Sequence, residues 1–521
     1  MKCQGLRDLW PEMDSFGLRI NVPRARMRIL AYVAMIAGAA GALAQPQPAS
    51  LTNRLKSAAD DTMANVTGFL GEVGLGPAAQ DVLNRSLSPA DAKLDRNVPL
   101  GLFDAWKAAF VNDPQLRAAR AALASGRERI PQAKSQLMPS VQYSAGRFKN
   151  ESERNSVTFL GTPQTTTERY FSQNETLALR QPLFRQVQQY QLRQASFVVG
   201  EAEAGLARET QNLGVRLGSA YFEALLALDH LRLVDAQRLF LTTQLDAVQK
   251  GLRAGLGTRT DVDEVQARLD LLIAQSLEAN QQVDLTQRQL QSIVGSPFSG
   301  LAQLDPQRFE LLSPLPGTVD EWISLALESS PEIRALSAQQ GAAREEIAKS
   351  RAGHLPTLDA IVQVQRSRSE NANLPQSGYV NTSIGFQFNL PLYQGGYVSS
   401  VSRQAQADFE RISELLEATR RELGIRVHKE YRGVTEGLAR VKALEVAVRS
   451  ADVALDSARK SLAAGVRTTV DVLNAQQQRV QVSRDLSQAR YMTLLAKIRL
   501  EALAGRIDDG LMERLGRSVS R

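Results

Sequence analysis

The chain has 521 residues, too many for one ordinary hydrophobic core, and only 6% are aromatic, so long helices with small contact residues fit better than a compact enzyme. A net charge of +7, without basic runs or interleaved aromatics, argues against a nucleic-acid partner.

Taken in chain order, the first readable element is a leader. Arg24, Arg26 and Arg28 precede an apolar run from Ile29 to Ala44 that closes in Ala42-Leu43-Ala44, which reads as a secretory signal peptide over residues 1–44. A start at Met27 would make the first residues an upstream extension, and both starts give a mature chain beginning near Gln45. Lys2, Arg7, Arg19 and the three arginines above outnumber Asp8, Glu12 and Asp14 by three, so removal leaves a charge of only +4. Removal also takes Cys3, the only cysteine, so no disulfide, thiolate nucleophile or acylated cysteine is expected. Residues 45–98, broken at Gly76-Pro77, are expected to form an N-terminal extension.

From there the chain repeats itself. Trp106 in DAWKAAFVNDPQLRA matches Trp322 in DEWISLALESSPEIRA; Pro139 matches Pro356, and Pro182 matches Pro391. Two repeats follow, residues 99–305 and 306–506, with a tail at 507–521. Between each pair of prolines the apolar period is two. Val380, Thr382, Ile384, Phe386, Phe388 and Leu390 alternate with Asn381, Ser383, Gly385, Gln387 and Asn389. Weaker alternation at Leu358–Val364, from Val141, and at Phe171–Leu179 makes four strands of about ten residues each, the ~9–11 a tilted strand needs to cross a bilayer. Two soluble hairpins are the other reading of these strands. The first repeat is longer in the polar stretch from Lys149 to Glu168, which is expected to be an exposed loop.

After the strands the period becomes heptad. Leu231, Val234, Arg238, Leu241, Leu245, Val248 and Leu252 recur 210 residues on as Val441, Leu444, Val448, Ala451, Leu455, Ala458 and Leu462. One helix is expected from Leu183 to Arg253, and shorter ones over 101–137 and 259–293, whose summed length matches it. Between the paired helices lie AGLGTRTDV and AGVRTTVDV. Gly255 and Gly465 can end a helix in the left-handed conformation, and Thr258-x-x-Asp261 and Thr468-x-x-Asp471 are capping boxes for the next. On that reading Asp471 only caps; in an oligomer, it would also be repeated around an axis. Four strands are too few to close a membrane barrel.

No enzymatic constellation competes. His230, His354 and His428 lie in separate segments, no serine has a Gly-x-Ser-x-Gly setting, and no metal-ligand spacing occurs, so no cofactor, metal or catalytic residue is expected.

AGVRTTVDVLNAQQQ followed by RDLSQARYMTLLAKIRLEALAG, together with the paired Asp-Pro and Ser-Pro segments and the Pro-bounded strands, resembles the TolC family of outer-membrane channel-tunnel proteins over roughly residues 100–505. The resemblance implies a mainly α fold with a transmembrane β part. Three chains would form a 12-stranded β-barrel, four strands each, continued by a long α-helical coiled-coil barrel in the periplasm. It implies a homotrimer in outer-membrane lipid, a periplasmic adaptor, and an inner-membrane ABC or proton-driven transporter that sends proteins or small molecules through the channel. Residues 45–98 would then be a periplasmic extension. Asp471 falls where the family places an acidic ring in the tip constriction. Asn474 stands where a second acid occurs. Arg467 matches an arginine that ties neighbouring coiled coils together, here toward Thr260 or Asp261, while the tyrosine expected five residues earlier is Leu462. Gly255, Leu256, Gly465 and Val466 fall at the hairpin tips, where an adaptor would make contact. The alternative is a periplasmic adaptor or coiled-coil scaffold without a channel, which would share the hairpins but need only one of them and a membrane anchor.

Overall fold

The computed structural model describes residues 98–157, 159, 161–255, 257–304, 317–371 and 374–519. The expected signal peptide, the extension up to Asn97, Leu256 and the boundary between the repeats at 305–306 lie outside the described residues. The described residues fall into two units: a sheet formed by Gln136–Arg185 with Pro356–Leu390, and a helical unit formed by the remainder.

The sheet holds β1 (Ser140–Val157), β2 (Pro163–Phe184), β3 (Thr357–Asn371) and β4 (Leu374–Asn389), all antiparallel in the order β1-β2-β3-β4. Register assembles the alternating residues into rows. Val141, Leu179, Val362 and Ile384 lie side by side, and so do Tyr143, Leu177, Val364 and Thr382. The opposite face carries Gln142, Ala178, Gln363 and Ser383, then Ser144, Thr176, Gln365 and Asn381. Val141, Tyr143, Val380, Ile384, Phe386 and Phe388 are each more than half exposed, an apolar surface that water alone would not stabilise. At the foot of the sheet the buried Asp359 accepts from Arg180 Nε at 3.0 Å and Arg185 Nε at 2.8 Å. Two cations from β2 and its end are thereby fastened to β3.

The strands are longer than the expected ten residues: 18, 22, 15 and 16. Hydrophobic alternation marks only the part facing an apolar medium, whereas the backbone ladder continues past it. The stretch Lys149 to Glu168, expected to be loop, is mostly ladder for this reason. There Arg169 pairs with Glu151 at 2.9 Å, and Thr165 Oγ1 donates to Asn155 Oδ1 at 2.7 Å. Between the two paired strands Gly161 takes φ 78°. The extra residues of the first repeat therefore lengthen a hairpin.

In the helical unit, α1 (Leu102–Asn112), α2 (Pro114–Arg127) and α3 (Arg129–Ser135) replace the single helix expected over 101–137. Pro114 has no N–H to continue α1, and Asp113 turns extended (ψ 122°) and accepts from Leu116 N at 2.8 Å, capping α2. Next come α4 (Gln186–Arg253) and α5 (Arg259–Val294). Because β2 stays paired as far as Phe184, α4 begins three residues later than expected, yet its 68 residues still span about 100 Å. The second repeat supplies α6 (Val319–Ser329), α7 (Pro331–Arg351), α8 (Tyr397–Ala463) and α9 (Thr469–Leu503). The heptad seams are where the helices meet: Val234, Leu241, Val265, Leu272, Val441, Leu455 and Ala458 are buried, although Arg238 is exposed. Helix α9 crosses α4 closely enough that a Cβ on Gly218 would lie 2.8 Å from Ile498 Cδ1.

The tail beyond residue 507 is not loose. It forms α10 (Asp509–Val519), which inserts Leu511, Met512 and Leu515 into a core with Trp106, Leu213, Tyr221, Leu290, Leu494 and Ile498. Trp106 Nε1 donates to Asp509 Oδ1 at 2.7 Å, so α1 and α10 clasp each other.

Candidate functional site

Each long helical hairpin ends in the same turn. Gly255 and Gly465 both take φ 73°, and their N–H groups donate to the carbonyls of Leu252 and Leu462 at 3.1 and 2.9 Å. Thr258 and Thr468 then cap α5 and α9 in reciprocal boxes. Thr468 N donates to Asp471 Oδ2 at 2.9 Å, and Asp471 N to Thr468 Oγ1 at 3.3 Å; the equivalent bonds between Thr258 and Asp261 are both 3.2 Å. Both aspartates therefore cap the helices that follow them.

Capping sets their charge. Asp261 is held below the ordinary carboxylate value chiefly by the Thr258 hydroxyl, with further bonds from the Thr258 N–H and from Thr469. Asp471 is held below it by the Thr468 N–H first, then by the Thr468 hydroxyl and the charge of Arg467. Both are anionic at neutral pH. Beneath them lie two apolar clusters: Val234, Leu241, Val265, Leu272 and Leu473 under the first tip, and Leu455, Ala458 and Val472 under the second.

Gly255, Thr260, Gly465, Arg467 and Asn474 are exposed, and Val466 is 78% exposed. Leu256 lies outside the described residues. Within one chain, among the described residues, Arg467 makes no bond to Thr260 or Asp261; only its backbone N–H is engaged, by Ser461 O at 3.3 Å. Asp261 is already occupied by Thr258. Contact between the two tips is made instead by Arg268, whose Nη2 donates to Asn474 Oδ1 at 3.1 Å. Nothing in the sequence spacing announces this pair, because its partners are 206 positions apart. The three histidines stay separate, and among the described residues no three His, Cys, Asp or Glu side chains gather as metal ligands. Among the described residues no helix is long and apolar enough to cross a membrane.

The sequence model of the family described as "Outer membrane efflux protein" matches residues 106–296 and 322–506. The chain belongs to that family. The two matched segments open at Trp106 and Trp322, the first landmarks of the internal repeat. Among curated relatives, the efflux-family chain is 34% identical over 416 residues to the alkaline protease secretion protein AprF of Pseudomonas aeruginosa, covering 80% of this chain and 86% of that one. It is 27% identical over 430 residues to the outer membrane protein TolC of Escherichia coli, covering 81% and 85%. Among solved structures, the CmeC outer membrane channel of Campylobacter jejuni superposes with a TM-score of 0.68 at 13% identity, covering 80% of this chain and 90% of that one. The protein is therefore an outer-membrane exit channel with a periplasmic helical part.

Proposed function

We propose that three copies form one channel, and that it releases polypeptides delivered by an inner-membrane ABC transporter through a periplasmic adaptor. The observation that carries this reading is the open sheet. One face is apolar and one polar, and β1 and β4 each present an unpaired edge, so a chain satisfies its backbone in hydrocarbon only when neighbours complete a closed, 12-stranded ring. A scaffold or adaptor has no use for such a sheet. Protein cargo is preferred to small molecules because AprF, named for protease secretion, shares more identity with the chain than TolC does.

In this reading the hairpin tips converge on the channel axis. Asp471 contributes one carboxylate per chain to a constriction, with Asn474 one turn further along α9. Arg467 is left to reach Thr260 or Asp261 of a neighbouring chain. Gly255, Leu256, Gly465 and Val466 offer exposed tip surface to the adaptor.

The test of assembly is direct. The mature protein in mild detergent should run as a trimer that heating dissociates, because strand edges and helix faces are left open in each copy. A monodisperse, folded monomer by light scattering would overturn the proposal. Orientation has its own test. The β1–β2 hairpin is the longer of the two, so an epitope inserted beside Gly161 should bind antibody on intact cells. Binding only after the outer membrane is ruptured would reverse the assignment.

A further inference from the structure

Near the start of α4, the end of α7 and the first turns of α8, the helical unit holds a groove of about 610 Å³. That is within the ~300–1,000 Å³ of small-molecule sites. It is lined by Tyr190 of α4, Arg344, Ile347 and Arg351 of α7, Leu355 just beyond α7, and Phe409 of α8. Arg344 and Arg351 lie about two turns apart on one face of α7, some ~10 Å along its axis. Ile347 and Phe409 are half-buried and Leu355 is exposed, so the apolar wall is open to a ligand. The charge of the groove is one-sided. Among the described residues no Asp or Glu lines it, and neither Arg344 nor Arg351 has an acidic partner, although Lys349 on the same helix pairs with Glu346. Arg193 adds a third cation, 5.1 Å over the Tyr190 ring. A smaller groove of about 340 Å³ beside Phe240 differs in this respect: acids line it too, and Asp452 holds Arg479 at 2.8 Å.

We propose that the larger groove binds one anionic phospholipid per chain from the periplasmic leaflet of the outer membrane. Its phosphate would lie on Arg344 and Arg351, and part of an acyl chain on Ile347, Leu355 and Phe409. The proposal rests on the reading of the sheet as the membrane-spanning part. Under that reading, chain connectivity sets the depth. β2 ends at Phe184 and α4 begins at Gln186, while α7 ends at Arg351 and β3 begins at Thr357. Tyr190, Arg351 and Leu355 are therefore only a few residues of chain from a spanning strand, at the level of lipid headgroups. Guanidinium groups match phosphate oxygens with paired N–H donors, and basic pockets between helices at a membrane surface recognise headgroups in this way. Cations alone would accept any anion, and an apolar wall alone any hydrocarbon; together they select an amphiphile with a net negative head. The ammonium of phosphatidylethanolamine would be repelled by three cations that have no acid among them.

Native mass spectrometry of the mature protein, released from detergent with phosphatidylglycerol, phosphatidylethanolamine or glycerol phosphate added, tests this. The parent should retain phosphatidylglycerol at up to one per chain, phosphatidylethanolamine several-fold less, and glycerol phosphate not at all. Arg344→Gln and Arg351→Gln should each weaken phosphatidylglycerol binding about fivefold, the usual worth of one basic residue at an anionic membrane, and the double variant about 25-fold. Phe409→Ala should weaken it as well, and lysine at both arginine positions should restore most of it. Arg440→Gln, on an exposed part of α8 outside the groove, removes the same charge and should bind as the parent does. No phosphatidylglycerol on the parent, equal retention by the double variant, or an equal loss in Arg440→Gln would overturn the site. Glycerol phosphate bound as tightly as the lipid would overturn the lipid, and equal retention of phosphatidylethanolamine would overturn the charge selection. These ligand comparisons need only the parent, so they decide even where a variant fails to fold. The spanning sheet is judged separately: a mature protein that stays soluble without detergent would refute that reading, whatever the groove binds.

Discussion

Trp106→Ala is expected to destabilise the helical unit by about 3–5 kcal/mol, the usual cost of emptying a fully buried indole site. The side chain is 1% exposed and sits where α1, α4, α5, α9 and α10 share one core, so no single element can collapse into the space. The same substitution removes the donor to Asp509 and with it the clasp on α10. Comparison with Trp106→Phe separates the two contributions. Phenylalanine keeps most of the volume but not the N–H, and Asp509 is exposed enough to be rehydrated, so about 1 kcal/mol of loss is expected. The measurement is thermal unfolding of the trimer in detergent by circular dichroism. A Trp106→Ala midpoint equal to that of the parent would mean that the α1–α10 core is not a seat of stability.

The second large effect concerns Asp471. In the proposed trimer three such carboxylates would meet in a narrow aperture, where a cation would relieve their repulsion. Asp471→Asn is therefore expected to lower cation selectivity and abolish divalent-cation block in planar bilayers, with trimer stability almost unchanged. Asparagine retains an oxygen for the Thr468 N–H, so capping survives. If Asp471 served only as a cap, the reversal potential and the block would stay as in the parent. Arg467→Ser should instead raise conductance, by removing the cation proposed to reach a neighbouring tip. Acidification adds a sign. Block requires the ionised form, so it is present above the carboxylate pKa and lost below it. Within one chain, Thr468 and Arg467 hold that pKa under the ordinary value of 3.8, whereas convergence of three like charges pushes it up. Block should accordingly titrate at a higher pH in the ring than the capping bonds alone would allow.

Much of this was readable in the residues, and what was not has identifiable causes. Heptad positions such as Val234, Leu241, Val441 and Leu455 were legible because helix packing imposes its period on the residues it buries. The apolar half of each strand was legible for the same reason. Its polar continuation through Arg154 or Thr165 was not, because a ladder held by backbone hydrogen bonds demands no particular side chain. The break at Asp113-Pro114 was written in the sequence as a cap followed by a proline, but the apolar pattern runs on through it and suggested one helix. Helix α10 was hidden because Leu511, Met512 and Leu515 make sense only once a core exists to receive them. At the site, both capping boxes could be read from four-residue spacings. The Arg268–Asn474 contact is created by the packing of α5 on α9, and no local pattern encodes it.

The open edges of β1 and β4 carry a genetic consequence. In the proposed ring of three, each copy completes the next and no position is spare, so one defective chain spoils the whole pore. With equal amounts of sound and defective chains mixing at random, only about one channel in eight is wholly sound. Variants that still assemble but cannot pass cargo should therefore be dominant over the normal allele, whereas variants that fail to pair at β1 or β4 are left out of rings and should be recessive.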